Sequence, residues 1–266
     1  MRQQQRAKRE EFHQVKTRLQ DWRRPLGLSL RLRALSMAAI FMISGCALTH
    51  KRLPYQDPDR LVSVIKVTPA GEEPVLVTDF IELQKQSRTL GKIAAYVSSH
   101  VNLTVGSQPE RISSTLVSAD LFSSLGVTPM LGRAILPQER HPGANRVAVI
   151  SHNLWQRNFR SDPNVIGRTV TLDHENYTIV GVMPGGFQFP EDCEMWLPLA
   201  PEDQSLRLND KSFRFEVIAR LSPSFTLEQA QAEMGVIASK LERDHPESNS
   251  GRSIKLTLLS ESRSQK

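Results

Sequence analysis

Leu61-Val62-Ser63-Val64-Ile65-Lys66-Val67 is a compact run rich in β-branched residues, closed by Pro69-Ala70-Gly71. A run of this kind ending in Pro and Gly predicts a strand that enters a turn. Behind it, Thr78 stands where a helix cap is expected and Asp79 in the first turn. Phe80, Leu83, Ser87 and Leu90 then recur at helical spacing as far as Gly91. The pattern predicts a helix with one inward stripe, capped by a side-chain oxygen and ended by glycine. Ile93 to Val105 and Arg111 to Val117 read as strands around the turn Gly106 to Pro109, and Ala119 to Leu125 as a short helix stopped at Gly126.

The same texture returns after the polar stretch Pro201 to Lys211. Phe213, Phe215, Val217 and Ala219 alternate with Arg214, Glu216 and Ile218, the period of a half-buried strand. Thr226 to Gln229 has the form of a capping box, and Ala230, Met234, Ile237, Ala238 and Leu241 make one helical face. Ile254, Leu256 and Leu258 alternate in a last strand.

Between these parts the strands are short and the turns tight. Val147 to Ile150 is an apolar strand, and Ser151 caps a helix carrying Leu154, Trp155 and Phe159. Val170 to Leu172 and Tyr177 to Val182 flank the hairpin turn Asp173-His174-Glu175-Asn176, and Met195 to Leu199 closes the section. The fold class expected is α+β: a split βαβ-type subdomain, with halves at about 54–125 and 211–262, and an inserted β-rich subdomain at about 126–205.

The charge of the chain is unevenly placed. Residues 1–33 hold ten Lys or Arg against three acids, whereas the rest holds 24 against 25, and Ala34 to Leu48 carries no charge. A basic flank abutting an apolar run is the mark of a segment facing a bilayer with its basic side in the cytoplasm. Residues 1–33 are therefore expected as a cytoplasmic tail, 34–53 as a transmembrane or signal-anchor segment, and 54–266 as a body on the extracytoplasmic side of the inner membrane. Crossing about 30 Å of hydrocarbon takes about 20 helical residues; the run reaches that length if extended backward through Leu26, Leu28, Leu30 and Leu32, with Arg31 and Arg33 snorkelling, and a second reading takes it as the h-region of a secretory signal. Within the tail, Phe12, Val15, Leu19 and Trp22 form one helical stripe, open to two readings: an interfacial helix on the inner surface or a solvated basic tail. Ile43-Ser44-Gly45-Cys46 is similar to the lipobox of bacterial lipoproteins, which makes Cys46 a candidate lipidation site. The other cysteine, Cys193, reads as a lone thiol. Because the body is nearly neutral, no basic face for nucleic acid is implied despite the overall charge of +6.

Side chains that invite chemistry are few. Gly126 to Arg133 has glycine spacing near that of a phosphate loop but lacks its Lys and Ser or Thr, and reads as two glycine turns. Asp173, His174 and Glu175 are three metal-ligand types in one turn, where neighbours diverge. Ser151 beside His152 suggests a nucleophile and base, yet a Ser at a helix start is an N-cap far more often. His100, His141 and His245 stand alone, and Trp155 and Trp196 read as core or interface anchors. No catalytic, cofactor-binding or metal site is assigned.

A family resemblance joins these pieces. Leu53-Pro54-Tyr55-Gln56-Asp57-Pro58-Asp59-Arg60-Leu61-Val62, directly after an apolar segment, resembles the start of a MacB-like periplasmic core domain of FtsX-like ABC transporter permeases. Leu121 to Val127 with Gly132-Arg133, Val149 to Arg157, Pro163 to Arg168, Tyr177 to Pro184 and Trp196 to Leu199 follow in family order. The resemblance implies a domain of an efflux or mechanotransmission permease that acts by protein contacts. Its implied partners are a separate cytoplasmic ABC ATPase subunit, another permease half or a second copy, and membrane lipid. It implies no enzyme activity and no cofactor. The family's hairpin turns through a Gly near position 174, where this chain has His174. The family also continues into further membrane helices past the point of Lys266, so a complete permease is not expected from this chain alone, and a non-functional permease fragment is one alternative. Another, of a different class, is a membrane-anchored lipoprotein or secreted hydrolase with its site near His152 or His174.

Overall fold

A computed structural model describes residues 55–106, 108–141, 143–200 and 214–262. The expected cytoplasmic tail, the membrane segment, Cys46 and the stretch Pro201 to Lys211 lie outside them. Among the described residues no helix is long and apolar enough to cross a membrane.

In chain order the elements are β1 Leu61–Thr68, β2 Gly71–Glu73, β3 Val75–Leu76, α1 Val77–Gln86, β4 Leu90–Thr104, β5 Pro109–Val117, α2 Leu121–Leu125, β6 Leu131–Gly132, β7 Val147–Ile150, α3 His152–Phe159, β8 Thr169–Leu172, β9 Glu175–Val182, β10 Met195–Pro198, β11 Arg214–Leu221, α4 Leu227–Asp244, α5 Pro246–Asn249, β12 Ser253–Leu258 and α6 Leu259–Ser262. This is a mixed α+β fold, as the alternation of periods predicts. Its sheet runs β12-β1-β11-β4-β5-β10-β7-β9-β6, with β2 on β1, β3 on β11 and β8 on β4 and β9.

The first four strands interleave two strand–helix–strand units. β1 and β4 both run antiparallel to β11, which lies between them; β11 and β12 both run antiparallel to β1. α1 joins the first pair and α4 the second. Their shared core holds Val62, Val64, Phe80, Leu83, Phe215, Val217 and the face Ala230, Met234, Ile237, Ala238 and Leu241. Met234 is fully withdrawn from solvent, which contributes roughly 1.5–3 kcal/mol. Glu233 fastens α4 to the chain between α1 and β4, accepting from Ser87 Oγ (2.7 Å) and from the amides of Arg88 (2.9 Å) and Thr89 (3.1 Å).

β4 and β5 then carry the sheet onward. Their far halves, with β10, β7, β9 and β8, close a ring, since β8 returns to β4 through Leu103↔Leu172 and Thr104↔Thr171. Leu103, Ile112, Ile150, Leu154, Phe159, Val170, Leu172 and Leu197 fill it. A third core, around Phe122, Phe187, Phe189 and Trp196, joins the ring to the rest of the sheet.

The local readings mostly hold, with three corrections. Ser151 caps α3 by accepting the Leu154 amide (3.1 Å), and Thr226 and Gln229 form the capping box of α4. Thr78, by contrast, caps nothing. α1 already begins at Val77, because Val75 and Leu76 are extended and paired to β11, and the Thr78 hydroxyl donates to Asp79 (3.4 Å). Nor does α1 reach Gly91. Ser87 turns extended after Gln86, and Leu90 and Gly91 open β4. The third correction concerns Ile218, placed by alternation among the polar positions, which is buried in the third core with Leu61 and Ala94. Both faces of β11 are covered there, so a period of two was insufficient.

Candidate functional site

The described chain enters and leaves the body at one end. After Tyr55 and Gln56, Asp57 adopts a left-handed conformation (φ 41°) and starts a 3₁₀ turn over Pro58–Arg60 that feeds β1. α6 packs on that turn and on β1, and the hydroxyls of Ser63 and Ser262 lie 2.9 Å apart.

Tyr55 to Arg60 is bonded to three separate parts of the body. The Tyr55 ring is buried edge-on to Phe187 (6.3 Å) and Phe189 (6.1 Å), and its hydroxyl donates to the Gln188 carbonyl (3.2 Å). These contacts reach the loop that precedes β10. The Gln56 amide donates to the Leu125 carbonyl at the end of α2 (3.3 Å). Gly126 makes this approach possible, being left-handed (φ 70°), and a Cβ there would lie 2.5 Å from Gln56 Cβ. The third attachment is at β11. Arg60 donates to the carbonyls of Leu221 (3.2 Å), Ser222 and Phe225 (3.4 Å). In return, Arg220 donates to Gln56 O (2.6 Å), Asp57 O (3.3 Å) and Ser124 O (2.8 Å).

Guanidinium groups suit this role, since their fixed fork of donors satisfies several carbonyls at once. Burial draws Arg220 below its ordinary value, with Asp57 opposing and Arg60 adding to the effect. The third core backs the junction: Phe122 of α2 meets Trp196 (5.9 Å) and Phe187 (6.0 Å), and the Trp196 indole donates to the Phe189 carbonyl (2.7 Å). The groups are donors, carbonyls and rings. They can hold and transmit position.

The residues singled out for chemistry do not converge. Ser151 is spent on its cap, and the His152 ring stands edge-on to Trp155 (5.6 Å) at a cleft of about 340 Å³ that Cys193 and Glu194 also line. Burial pushes the Cys193 thiol up to about 12, so at neutral pH it is not the nucleophilic thiolate; it donates to the Met195 carbonyl (3.2 Å). Asp173 and His174 form a two-residue turn with φ of 45° and 74°, tighter than the four-residue stretch suggested. Asp173 accepts from the Asn102 amide (3.1 Å) and side chain (2.7 Å), whereas Glu175 pairs with Arg146 (2.8 Å). Among the described residues no group of three such side chains is placed to hold a metal ion. His100 lies in β4 opposite Ser113, His141 accepts from Arg140 (3.4 Å), and His245 caps α4 with Glu247 3.9 Å away. In the glycine loop, Gly126 and Gly132 are both left-handed, and a Cβ on Gly132 would lie 2.1 Å from the Val180 carbonyl. That glycine admits the β6–β9 pairing. Trp155 and Trp196 are buried in the second and third cores described above.

Sequence reasoning missed Arg60, Arg220 and a buried cluster of Lys66, Asp79 and Asn249. Lys66 and Asp79 are each 2% exposed and paired, and Lys66 also donates to Asn249 Oδ1 (2.6 Å) and the Ser248 carbonyl (3.2 Å). The available signal was a lysine in step with the apolar positions Val62 and Val64 of its strand.

The profile of the MacB-like periplasmic core domain matches residues 34–236. Among solved structures, the periplasmic region of MacB from Actinobacillus actinomycetemcomitans is similar, with a TM-score of 0.56 and 13% identity over 77% of this chain and 91% of that one. The extracellular domain of the noncanonic ABC-type transporter YknZ from Gram-positive bacteria gives a TM-score of 0.53 and 13% identity, over 73% of this chain and 99% of that one. No curated protein matches.

Proposed function

The chain belongs to the MacB-like periplasmic core domain family of ABC permeases, and from that premise we propose that residues 54–266 are an extracytoplasmic lever tethered by a single membrane helix in 34–53. In this reading the domain does no chemistry of its own. A separate cytoplasmic ABC ATPase supplies the energy, and a second permease half or second copy of the chain supplies the opposing lever. The frame of β12, β1, β11 and near β4 is one subdomain, and the residues at about 126–205 are the insert it moves.

The observation that carries this is the triple attachment of Tyr55 to Arg60. A displacement of the membrane segment arrives at Tyr55. It is passed to the loop before β10 by the Tyr55 hydroxyl and ring, to α2 by the Gln56 amide, and to β11 by Arg60 and Arg220. A partner that prefers one position of this segment shifts the population of body conformations by its differential affinity.

Hydrogen exchange on the full chain in its own membranes tests this. With ATP and vanadate added, exchange in 55–60, 121–126 and 184–193 is expected to change together, while the distant hairpin 169–178 stays constant. Arg220→Ala should abolish the linked change while leaving protection of the ring strands intact. A nucleotide response confined to other segments, or one unaltered by Arg220→Ala, contradicts the reading.

A further inference from the structure

Among the described residues β12 is the last strand of the sheet, with β1 on one side. A free strand edge is a row of unpaired amides and carbonyls that invites another strand. Here the edge is occupied by a side chain. Gln231, on α4, donates from Nε2 to the Ile254 carbonyl and accepts from the Leu256 amide at Oε1, each at 2.8 Å. The groups bonded belong to residues two apart on one strand, the pair that a single residue of a parallel neighbour would take. The glutamine side-chain amide thus stands in for the N–H and C=O of one residue of a neighbouring strand.

α4 fixes the side chain in place. Its face Ala230, Met234, Ile237, Ala238 and Leu241 is packed in the first core, and Glu233, two positions on, is held by Ser87, Arg88 and Thr89. The helix that carries Gln231 is therefore held against the sheet, with the side chain in reach of β12.

We propose that Gln231 is an edge guard, which keeps the body from pairing through β12 with a second copy of itself. The second copy is the fitting occupant because two identical edges related by a twofold axis are self-complementary: each amide of one meets a carbonyl of the other in antiparallel register. β12 alternates Ile254, Leu256 and Leu258 with Ser253, Lys255 and Thr257, so such pairing continues the apolar face across the junction.

The test compares the full chain in detergent micelles with Gln231→Ala. Amide exchange at Leu256 should rise at least tenfold in the variant at low protein concentration. At high concentration its mass by light scattering should exceed that of the wild type, and Leu256 should become protected again. Gln231→Glu, which keeps an acceptor for Leu256 but has no donor for Ile254, should fall between the two and serves as the readout if the alanine variant fails to fold. Unchanged exchange at Leu256 overturns the proposal, as does faster exchange without concentration-dependent association.

Discussion

Asp79→Ala is expected to destabilise the body by about 3–5 kcal/mol, because it leaves the Lys66 ammonium buried with no counter-charge. The two residues are each 2% exposed, so water cannot take the place of the carboxylate. Asn249 supplies one further acceptor to Lys66 and itself donates to Asp79 (3.3 Å), so the loss spreads to α5. Replacing both partners, as Lys66→Met with Asp79→Leu, should recover most of the loss, since a buried pair is worth little against apolar groups of similar volume. Denaturant unfolding of the two variants checks this.

The pH dependence gives a second handle on the same pair. Burial holds Lys66 below its ordinary value of 10.5 even though Asp79 pulls the other way; Arg252 and Arg214 add to the lowering. The folded protein thus binds this proton less tightly than the unfolded chain does. Its contribution to stability rises as pH climbs through the depressed folded value toward 10.5, and is lost as pH falls back through that window. The deficit of Asp79→Ala should therefore shrink as pH approaches 10, where an uncharged amine no longer needs the carboxylate.

Trp196→Ala is the second large effect, about 3–5 kcal/mol for the emptied volume alone. Trp196 is fully buried between Phe122 and Phe187, and its indole satisfies the Phe189 carbonyl. Trp196→Phe keeps most of the packing and removes only the donor, for which about 1–3 kcal/mol is expected from the stranded carbonyl. Both are measured by far-UV circular dichroism in denaturant. The alanine variant should also raise hydrogen exchange in 55–60, since the third core backs the junction; the phenylalanine variant should raise it less.

What could be read from the sequence was the part governed by near neighbours. The Ser151 and Thr226 caps, the α4 face, the Gly126 stop and the hairpin around Asp173 and His174 each follow from residues a few positions apart. The family resemblance joined these pieces into one domain, and two of its motif glycines, Gly126 and Gly132, prove to be close backbone approaches. The junction was not legible. Arg60 and Leu221 are 161 positions apart, and Lys66 and Asn249 183, so no spacing announces them. Ring closure through Leu103 and Leu172 has the same character. Where alternation misled, at Ile218, the cause was a second covering layer that only the chain's far parts provide. Thr78 misled for a different reason: tertiary pairing of Leu76 with Arg214 set the start of α1 ahead of the better capping residue.

The central claim is that the body stands outside the membrane and is moved from the end where Tyr55 and Ser262 emerge. Its most direct test is a pair of fusions after Lys266, one to alkaline phosphatase, active only outside the cytosol, and one to a fluorescent protein that matures only within it. The account predicts an active phosphatase and a dark fluorescent fusion. A fluorescent fusion paired with a silent phosphatase would contradict it.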